Sequence, residues 1–381
     1  MSFLSGRVHG TRYVIADWST HKNPTRDTVE GALKEYAFRE PLSKSNEGLH
    51  IGWVEMDDWM NTAFTPDAWT AGAYLAFTLR TDRKVVPGKL LAAHLRRRVA
   101  AWCAEHQRER CPSTVKSEIK DSLKRELLET THPTTKLVPM VWNLEDGAVT
   151  IDSTAETALE TARKFFQRTF GLTLRRAEPL RDIDLEEAWV LRYGRKRNLD
   201  ETSIPEDEGT LDEEKLSDFL TWLWYVAAVD DGDVSEEMNI ELIGRLCFRD
   251  PGQGAHSVVV AADGFERIAE SKEALKAGRR LHELRLSLTE PGTANLYGLT
   301  LAGPHLEIQG LKFSHLCKGD FEDSVLETMY LLEHVQGLVA TMLGVYASLV
   351  ASGAWVREVQ PKIRAWADAP MVSPDTASEP G

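Results

Sequence analysis

Two short groups of residues are of types that could carry out chemistry or hold a metal. Glu118 and Lys120 form an E-x-K pattern, half of a magnesium-nuclease motif in which a carboxylate holds the ion and a lysine orients the attacking water. A Pro-Asp pair on an adjacent strand, the other half, is not evident upstream. The pattern leaves a metal-dependent nuclease, or a nuclease-linked defence component, as an alternative function.

The second group is Cys103, His106 and Cys111, which lack a fourth ligand at the spacing of a zinc motif. The acidic run from Asp230 to Glu236 lacks the twelve-residue spacing of a calcium loop. No phosphate-binding loop, dinucleotide fingerprint or nucleophile elbow is present. We therefore predict no catalytic residue, no metal and no cofactor, and a binding protein, not an enzyme.

The distribution of charge is more informative than these motifs. The chain has a formal net charge of −14 over 381 residues, yet the block from Arg80 to Arg125 contains 13 Lys or Arg and 5 Asp or Glu. The block carries +8, and the other 335 residues carry −22. A polyanion responds to the local field of a surface and not to the summed charge, so this block is the first place to expect nucleic-acid contacts.

Excess cations recur in several predicted elements before residue 170. Such a surface neutralises phosphates and releases counterions, which gives salt-sensitive binding without sequence preference. No zinc finger, RNP1-type aromatic pattern or helix-turn-helix is present to read bases. The candidate DNA-binding residues from this argument are Arg80, Lys84, Lys89, Arg96, Arg97, Arg98, Lys116, Lys120, Lys124, Arg125, Arg163, Lys164 and Arg168.

Composition and cysteine usage predict a globular protein of a reducing compartment. The hydrophobic fraction is 42%, the four cysteines are scattered, and the amino terminus lacks the apolar region of a secretory signal. We expect a cytoplasmic, nucleoid-associated protein. The stretch from Val335 to Val356 has no formal charge and nearly the length of a membrane span, but its polar residues and the lack of basic flanks favour a buried or oligomer-facing helix.

The first half reads as an antiparallel sheet interrupted by helices. Strands are predicted at 13–18, 49–54 and 73–79, with a helix near 27–38. Helices follow from Pro87 and over 113–129, then a hairpin with an acidic-glycine turn at 145–147 and a helix over 153–170. In the helix over 113–129, one stripe consists of Lys116, Lys120 and Lys124. It lies about 60° around the helix axis from the apolar stripe of Ile119, Leu123 and Leu127. The apolar face can therefore pack while the adjacent face offers cations.

The second half begins with an acidic region from Asp200 to Glu237 that surrounds the aromatic run FLTWLWY. We expect loops or a linker with an anchored aromatic strand or helix, whose rings belong to the core. This acidic region also allows a third function, an interaction module that imitates DNA. Further strands, a helix at 271–280, a long helix at 321–356 and a disordered tail complete the prediction.

Several short sequence motifs resemble, in their order and spacing, those of the RdgC family of recombination-associated bacterial proteins. They are GWV at 52–54, Arg80 with KVVP at 84–87, KDSLKRELL at 120–128, MVWNLEDGAVTID at 140–152 and LKF at 311–313. The resemblance implies a DNA-binding protein without enzymatic activity, whose horseshoe-shaped subunits close into a homodimeric ring around duplex DNA and restrain RecA-type recombinases. It supports Arg80, Lys84, Lys120 and Lys124 and adds Lys312 to the candidate residues.

Three features depart from that family. The loop THPTTKLVP lacks the basic-aromatic stretch that the family usually has there, the segment 194–264 is longer, and the carboxyl-terminal tail is extra. These differences put ring closure, partner choice and DNA entry in question.

Together the residues and the resemblance predict an α+β protein with antiparallel sheets and flanking helices. The predicted divisions are an amino-terminal half (1–193), an acidic and aromatic variable segment (194–264), a carboxyl-terminal half (265–357) and a remainder (358–381). The predicted partners are double-stranded DNA, with single-stranded DNA left open, a second copy of the chain, and a RecA-type recombinase as a functional antagonist. No membrane partner is expected.

Overall fold

A computed structural model gives the architecture of most of the chain. The described residues are 2–4, 7–18, 24–40, 49–177, 213–229, 233–235, 238–250, 257–261, 265–292, 295–303, 305–313 and 319–369. The acidic residues 200–212, the cysteine at 317 and the carboxyl-terminal tail lie outside them, as do the predictions made for those segments.

The described strands form one 13-stranded antiparallel sheet, and helices flank it. The strands are β1 (Arg7–Ile15), β2 (Leu49–Glu55), β3 (Thr70–Ala71), β4 (Tyr74–Arg83), β5 (Thr134–Asn143), β6 (Ala148–Asp152), β7 (Leu174–Arg176), β8 (Asp233–Ser235), β9 (Met238–Arg249), β10 (Ser257–Ala261), β11 (Arg280–Thr289), β12 (Leu296–Ala302) and β13 (Glu307–Phe313). The helices are α1 (Arg26–Glu35), α2 (Pro66–Trp69), α3 (Gly88–Glu105), α4 (Ser113–Thr130), α5 (Glu156–Phe170), α6 (Glu213–Val229), α7 (Phe265–Lys276), α8 (Phe321–Ala351) and α9 (Gln360–Asp368). The predicted α+β class with antiparallel pairing is confirmed.

Strand β1 joins the two halves of the sheet, whose order is β10-β9-β11-β12-β13-β1-β6-β5-β4-β2. One edge of β1 pairs with β6 and the other with β13. The register of the β1–β13 pairing is irregular around His9. There the His9 amide donates to the Asp152 carboxylate at 2.7 Å, and the Gly310 amide donates to His9 Nδ1 at 3.1 Å. Burial raises the pKa of Asp152. The pairing of β1 with β13 could not be predicted from the sequence, because the two strands lie about 300 residues apart in the chain.

An aromatic core fills the face of the first half that α1 and α5 cover. Trp53 and Phe77 meet edge to face with centroids 5.0 Å apart, and Trp142 meets Phe166 in the same way at 5.3 Å. The indole of Trp53 also donates to Thr169 Oγ1 at 2.9 Å. Edge-to-face pairs add about 0.5–1.5 kcal/mol each beyond the buried area, so this core fixes the orientation of the strands that carry the basic block.

The second core lies between the sheet and helices α6 and α8. The run FLTWLWY is helical, and Phe219, Trp222 and Trp224 are buried, which confirms that these rings are core. Trp222 packs on Tyr346 of α8. In α9, the Trp366 carbonyl accepts from Lys272 Nζ at 2.7 Å, and desolvation lowers the pKa of that lysine.

Helix α8 also ties the two halves together. By length and composition it is the one helix in the described part of the chain that could cross a membrane, but its buried side chains belong to the second core. At its amino-terminal end, Glu322 accepts from the Gly72 amide at 3.1 Å, and about three turns further on Glu333 accepts from the Tyr74 hydroxyl at 2.9 Å. Burial raises the pKa of both Glu333 and Tyr74.

Several predicted boundaries were wrong. The long helix ends at Ala351 and not at residue 356, since Gly353 adopts φ +71 and a π turn follows over Trp355–Val359. Helix α7 begins at Phe265 and ends before Gly278 (φ +79), so the predicted end at residue 280 falls in β11. Strand β1 begins earlier than predicted and ends before Asp17, which has φ +57.

Two glycines give a matched test of the packing beside β2. A Cβ on Gly52 would lie 2.3 Å from the Phe38 Cα, a backbone atom that cannot yield, whereas a Cβ on Gly31 in α1 would touch nothing within 4 Å. We expect Gly52→Ala to lower the free energy of unfolding by about 2–3 kcal/mol, the upper range for overpacking. Gly31→Ala should raise it by about 0.5–1 kcal/mol through helix propensity. Urea denaturation measures both, and equal values would contradict the close approach.

Candidate nucleic-acid interface

Most of the basic block forms a helical hairpin of α3 and α4. This hairpin connects the adjacent strands β4 and β5 of the sheet. Helix α3 has no buried residue and α4 has two, Leu123 and Leu128. Arg98 joins the helices through an ion pair with Glu126 at 2.6 Å, and Lys84 Nζ donates to the Leu128 carbonyl at 3.2 Å near the hairpin base. Because the two helices pack mainly on each other, most of their surface is left to solvent or to a ligand.

The hairpin has two unlike sides. One side is a groove lined from α3 by positions 94, 97, 98, 101, 102 and 105 and from α4 by 118, 119 and 122. At about 100° per residue, Arg96 lies about 100° from Arg97 and about 160° from Arg98. On α4, Lys120 lies about 100° from Ile119 and about 160° from Glu118. Arg96 and Lys120 therefore lie away from the groove.

The side opposite the groove is the basic face. Lys89 lies seven residues before Arg96, and Lys116 and Lys124 lie four residues before and after Lys120, so helical periodicity keeps each set together. Among the described residues, no acidic side chain lies within 4 Å of Lys89, Arg96, Lys116 or Lys120, and all four are exposed. We define the basic face as Lys89, Arg96, Lys116, Lys120 and Lys124.

Other candidate cations on the hairpin lie elsewhere. Arg97 and Arg98 line the groove, and the charge of Arg98 is offset by Glu126. Arg125, one residue beyond Lys124, donates from Nε to the Asp121 carbonyl at 3.4 Å. The triplet of arginines therefore divides between the two sides, as a helix requires of three consecutive residues.

The cations of α5 are partly neutralised. Arg163 and Lys164 both pair with Glu160, at 3.4 and 2.8 Å, and the hydrogen bond from Lys164 lowers the pKa of that carboxyl. The guanidinium of Arg168 lies 5.7 Å from the Tyr36 ring centroid. These residues are weaker candidates for phosphate contacts than the basic face.

Arg80 lies in the interior. It is 7% exposed, and its guanidinium donates to both carboxylate oxygens of Asp82, at 3.1 and 2.7 Å. The rings of Phe38 and Trp59 lie 4.0 and 4.9 Å from it. Buried, paired with Asp82 and in contact with two aromatic rings, Arg80 is removed from the surface that a polyanion could reach, so its motif position reflects structure.

Lys312 is exposed on β13, distant in sequence from the hairpin. Its cross-strand neighbour on β1 is Arg7, a cation that sequence reasoning missed. No sequence signal could have joined them, because the pairing depends on the long-range β1–β13 register. Exposed Arg108 and Arg110, in the turn between α3 and α4, were visible within the basic block but were not singled out.

The two residue groups that were considered as possible metal or nuclease motifs lie on or beside the helical hairpin. Glu118 and Lys120 lie on helix α4, about 160° apart, and not on a strand of a nuclease core. His106 stacks on Trp102, and its Nδ1 is 3.0 Å from the Trp102 carbonyl. In the described part of the chain, no group of three or more His, Cys, Asp or Glu side chains is placed to hold a metal ion.

Comparison with protein families gives one match. Residues 15–187, which include the hairpin and α5, match the family model described as "Putative exonuclease, RdgC". This part of the chain is RdgC-like. The match confirms the resemblance and supports a recombination-associated, DNA-related protein. No curated protein matches the chain.

The buried ion pair gives a test that separates structure from binding in the RdgC-like region. Arg80→Ala leaves Asp82, 4% exposed, as an uncompensated buried charge, and we expect the free energy of unfolding to fall by about 3–5 kcal/mol. Arg83→Ala, on the same strand but exposed, should change it by less than about 0.5 kcal/mol. Adding Asp82→Ala to Arg80→Ala should recover part of the loss. A variant of normal stability that binds DNA weakly would contradict this assignment.

Proposed function

We propose that the protein binds duplex DNA without sequence preference through the basic face of the α3–α4 hairpin. The observation that carries this proposal is the convergence of cations from two helices on one side, four of them exposed and without an acidic neighbour within 4 Å among the described residues. Lysine and arginine on such a face neutralise phosphates and release counterions. Base edges need not be contacted, since phosphate contacts carry no sequence information.

The charge of the rest of the chain strengthens this arrangement. With −22 outside the basic block, the other surfaces repel a polyanion while the hairpin attracts it. The summed field therefore orients the approach of DNA as well as its binding. Duplex DNA in a bacterial cell lies in the nucleoid, so we propose a cytoplasmic, nucleoid-associated location.

We further propose a homodimeric ring that encircles the duplex and hinders RecA-type recombination. The support is the RdgC-like region and the residues on α3 that remain only half-buried within one chain, among them Leu91, Leu95 and Val99. A ring resists dissociation because release requires an interface to open or a DNA end to be reached. Its presence on the duplex would obstruct recombinase loading and strand exchange.

We propose that the protein is not an enzyme. The description of the matching family as a putative exonuclease makes exonuclease activity the second candidate, and Glu118 with Lys120 is the pair from which the sequence suggested nuclease chemistry. Two-metal nucleases hold their ions with several carboxylates. The helical placement of this pair supports binding over cleavage.

The basic face predicts a specific loss of binding. Changing Lys116, Lys120 and Lys124 together to Glu should abolish duplex binding in a gel-shift series while solution mass is unchanged. The single variant Lys120→Ala should reduce the magnitude of the salt slope by about 1, one phosphate contact.

The matched control changes exposed Lys362 and Arg364 of α9 to Glu. It should leave duplex affinity within about twofold, since cations that are not part of the basic face act on DNA only through the screened long-range field. Unchanged binding by the triple variant would refute the assignment of the basic face.

Topology gives the test of encirclement. The protein should be retained on circular duplex at salt concentrations that release it from linear duplex of the same sequence, because only linear DNA offers an end to slide off. The same incubation with Mg²⁺ or Mn²⁺ should return both DNAs intact. Equal retention would contradict the ring, and shortening of the linear DNA from its ends would support the exonuclease alternative.

A further inference from the structure

The groove side of the hairpin differs from the basic face in chemistry as well as in charge. It is an open groove of about 730 Å³ between α3 and α4. Arg97 and Arg98 line it together with Glu105 and Glu118, so its formal charges cancel. A chain of phosphates would gain little electrostatic binding energy there, so this groove does not share the phosphate-binding chemistry of the basic face.

The groove also contains an ordered aromatic surface. Trp102 lines it and is half-buried. His106 stacks on the indole with a centroid distance of 4.2 Å and an interplanar angle of 15°, and its Nδ1 is 3.0 Å from the Trp102 carbonyl. This pair therefore presents a flat surface of fixed orientation without needing a ligand to order it.

We propose that the groove binds an unpaired nucleobase, with Trp102 as the stacking surface. Arg97 and Ser122 supply hydrogen-bond donors, while Glu105 and Glu118 supply acceptors. A nucleobase is uncharged, has a π face, and carries both donors and acceptors on its edges. Aromatic side chains on which bases stack are typical of proteins that bind single strands.

A protein partner fits the same groove less well. The core of a protein interface is depleted of charged residues, and this groove has four charged side chains around Ile119, Ala101 and Trp102. An unpaired base needs only one stacking surface and a few polar groups. Single-stranded DNA is thus assigned a site distinct from the basic face proposed for the duplex.

The test compares three fluorescent ligands of equal length by anisotropy: oligo-dC, an abasic oligonucleotide with the same phosphates, and a duplex. We expect Trp102→Ala to weaken oligo-dC binding about tenfold, in the range measured for loss of one stacked base. Binding of the abasic strand and of the duplex should be unchanged. Trp102→Phe, which keeps a π face, should retain most of the affinity for oligo-dC.

Helix α8 supplies the matched control. Tyr330 is 69% exposed and stacks on His334 with an interplanar angle of 7°, but His334 pairs with Glu290 at 3.0 Å and Glu333 lies on the same helix. Tyr330→Ala removes another aromatic ring that stacks on a histidine and should leave binding of all three ligands unchanged. A second variant, Glu118→Gln, should weaken oligo-dC more than oligo-dT, because cytosine carries an exocyclic amine where thymine carries an acceptor oxygen.

The possible outcomes separate this proposal from the proposed function. Duplex binding that persists while Trp102→Ala has no effect on oligo-dC, or affects the abasic strand equally, overturns the base site alone. Oligo-dC binding that depends on Trp102 without any duplex binding supports the base site and overturns the duplex proposal. A change in solution mass caused by Trp102→Ala would identify the groove as a contact between copies and overturn the base site.

Discussion

The pairing of β4 with β5 is the constraint on which the candidate interface depends. These strands pair from Tyr74 opposite Asn143 to Arg83 opposite Thr134, and the whole hairpin is inserted between their ends. The aromatic core under Phe77 and Trp142 fixes the strands. An element attached in this way has its base held by the sheet, whereas its helices have mainly each other to pack against. The hairpin can therefore be basic and largely exposed without weakening the body that carries it.

The same attachment explains why cations in one sequence block have different roles. Arg80, on the strand, is buried beside Asp82, where an isolated charge would be costly. Lys84, at the base, bonds a helix carbonyl. Lys120, on the exposed helix, has no acidic neighbour within 4 Å among the described residues. All three belong to the same basic sequence block, but their burial and contacts decide whether a cation is a structural partner or is available to a phosphate.

The junction at β1 and the crossing helix α8 make one sheet of two sequence halves. The RdgC-like match covers residues 15–187, yet β1 begins before it and pairs with β13 far beyond it. Tyr74 of the matched region bonds Glu333 of α8. The segment between the halves contributes α6, whose tryptophans fill the second core. The helix α6 from this segment is thus an integral part of the packing.

The sequence by itself determined the elements and the charge. Period-2 and period-3.6 patterns identified β2, β4 and α4, because those patterns are local consequences of burial on one face. The acidic-glycine turn identified the β5–β6 hairpin, and the apolar neighbours of the rings in FLTWLWY indicated their core role. The tertiary structure alone decided that Arg80 is interior, that the groove between α3 and α4 lies beside Arg97 and Arg98, and that Arg7 neighbours Lys312. Each depends on which surface a residue meets after long-range strand pairing and helix packing, and residue type and spacing do not contain that information.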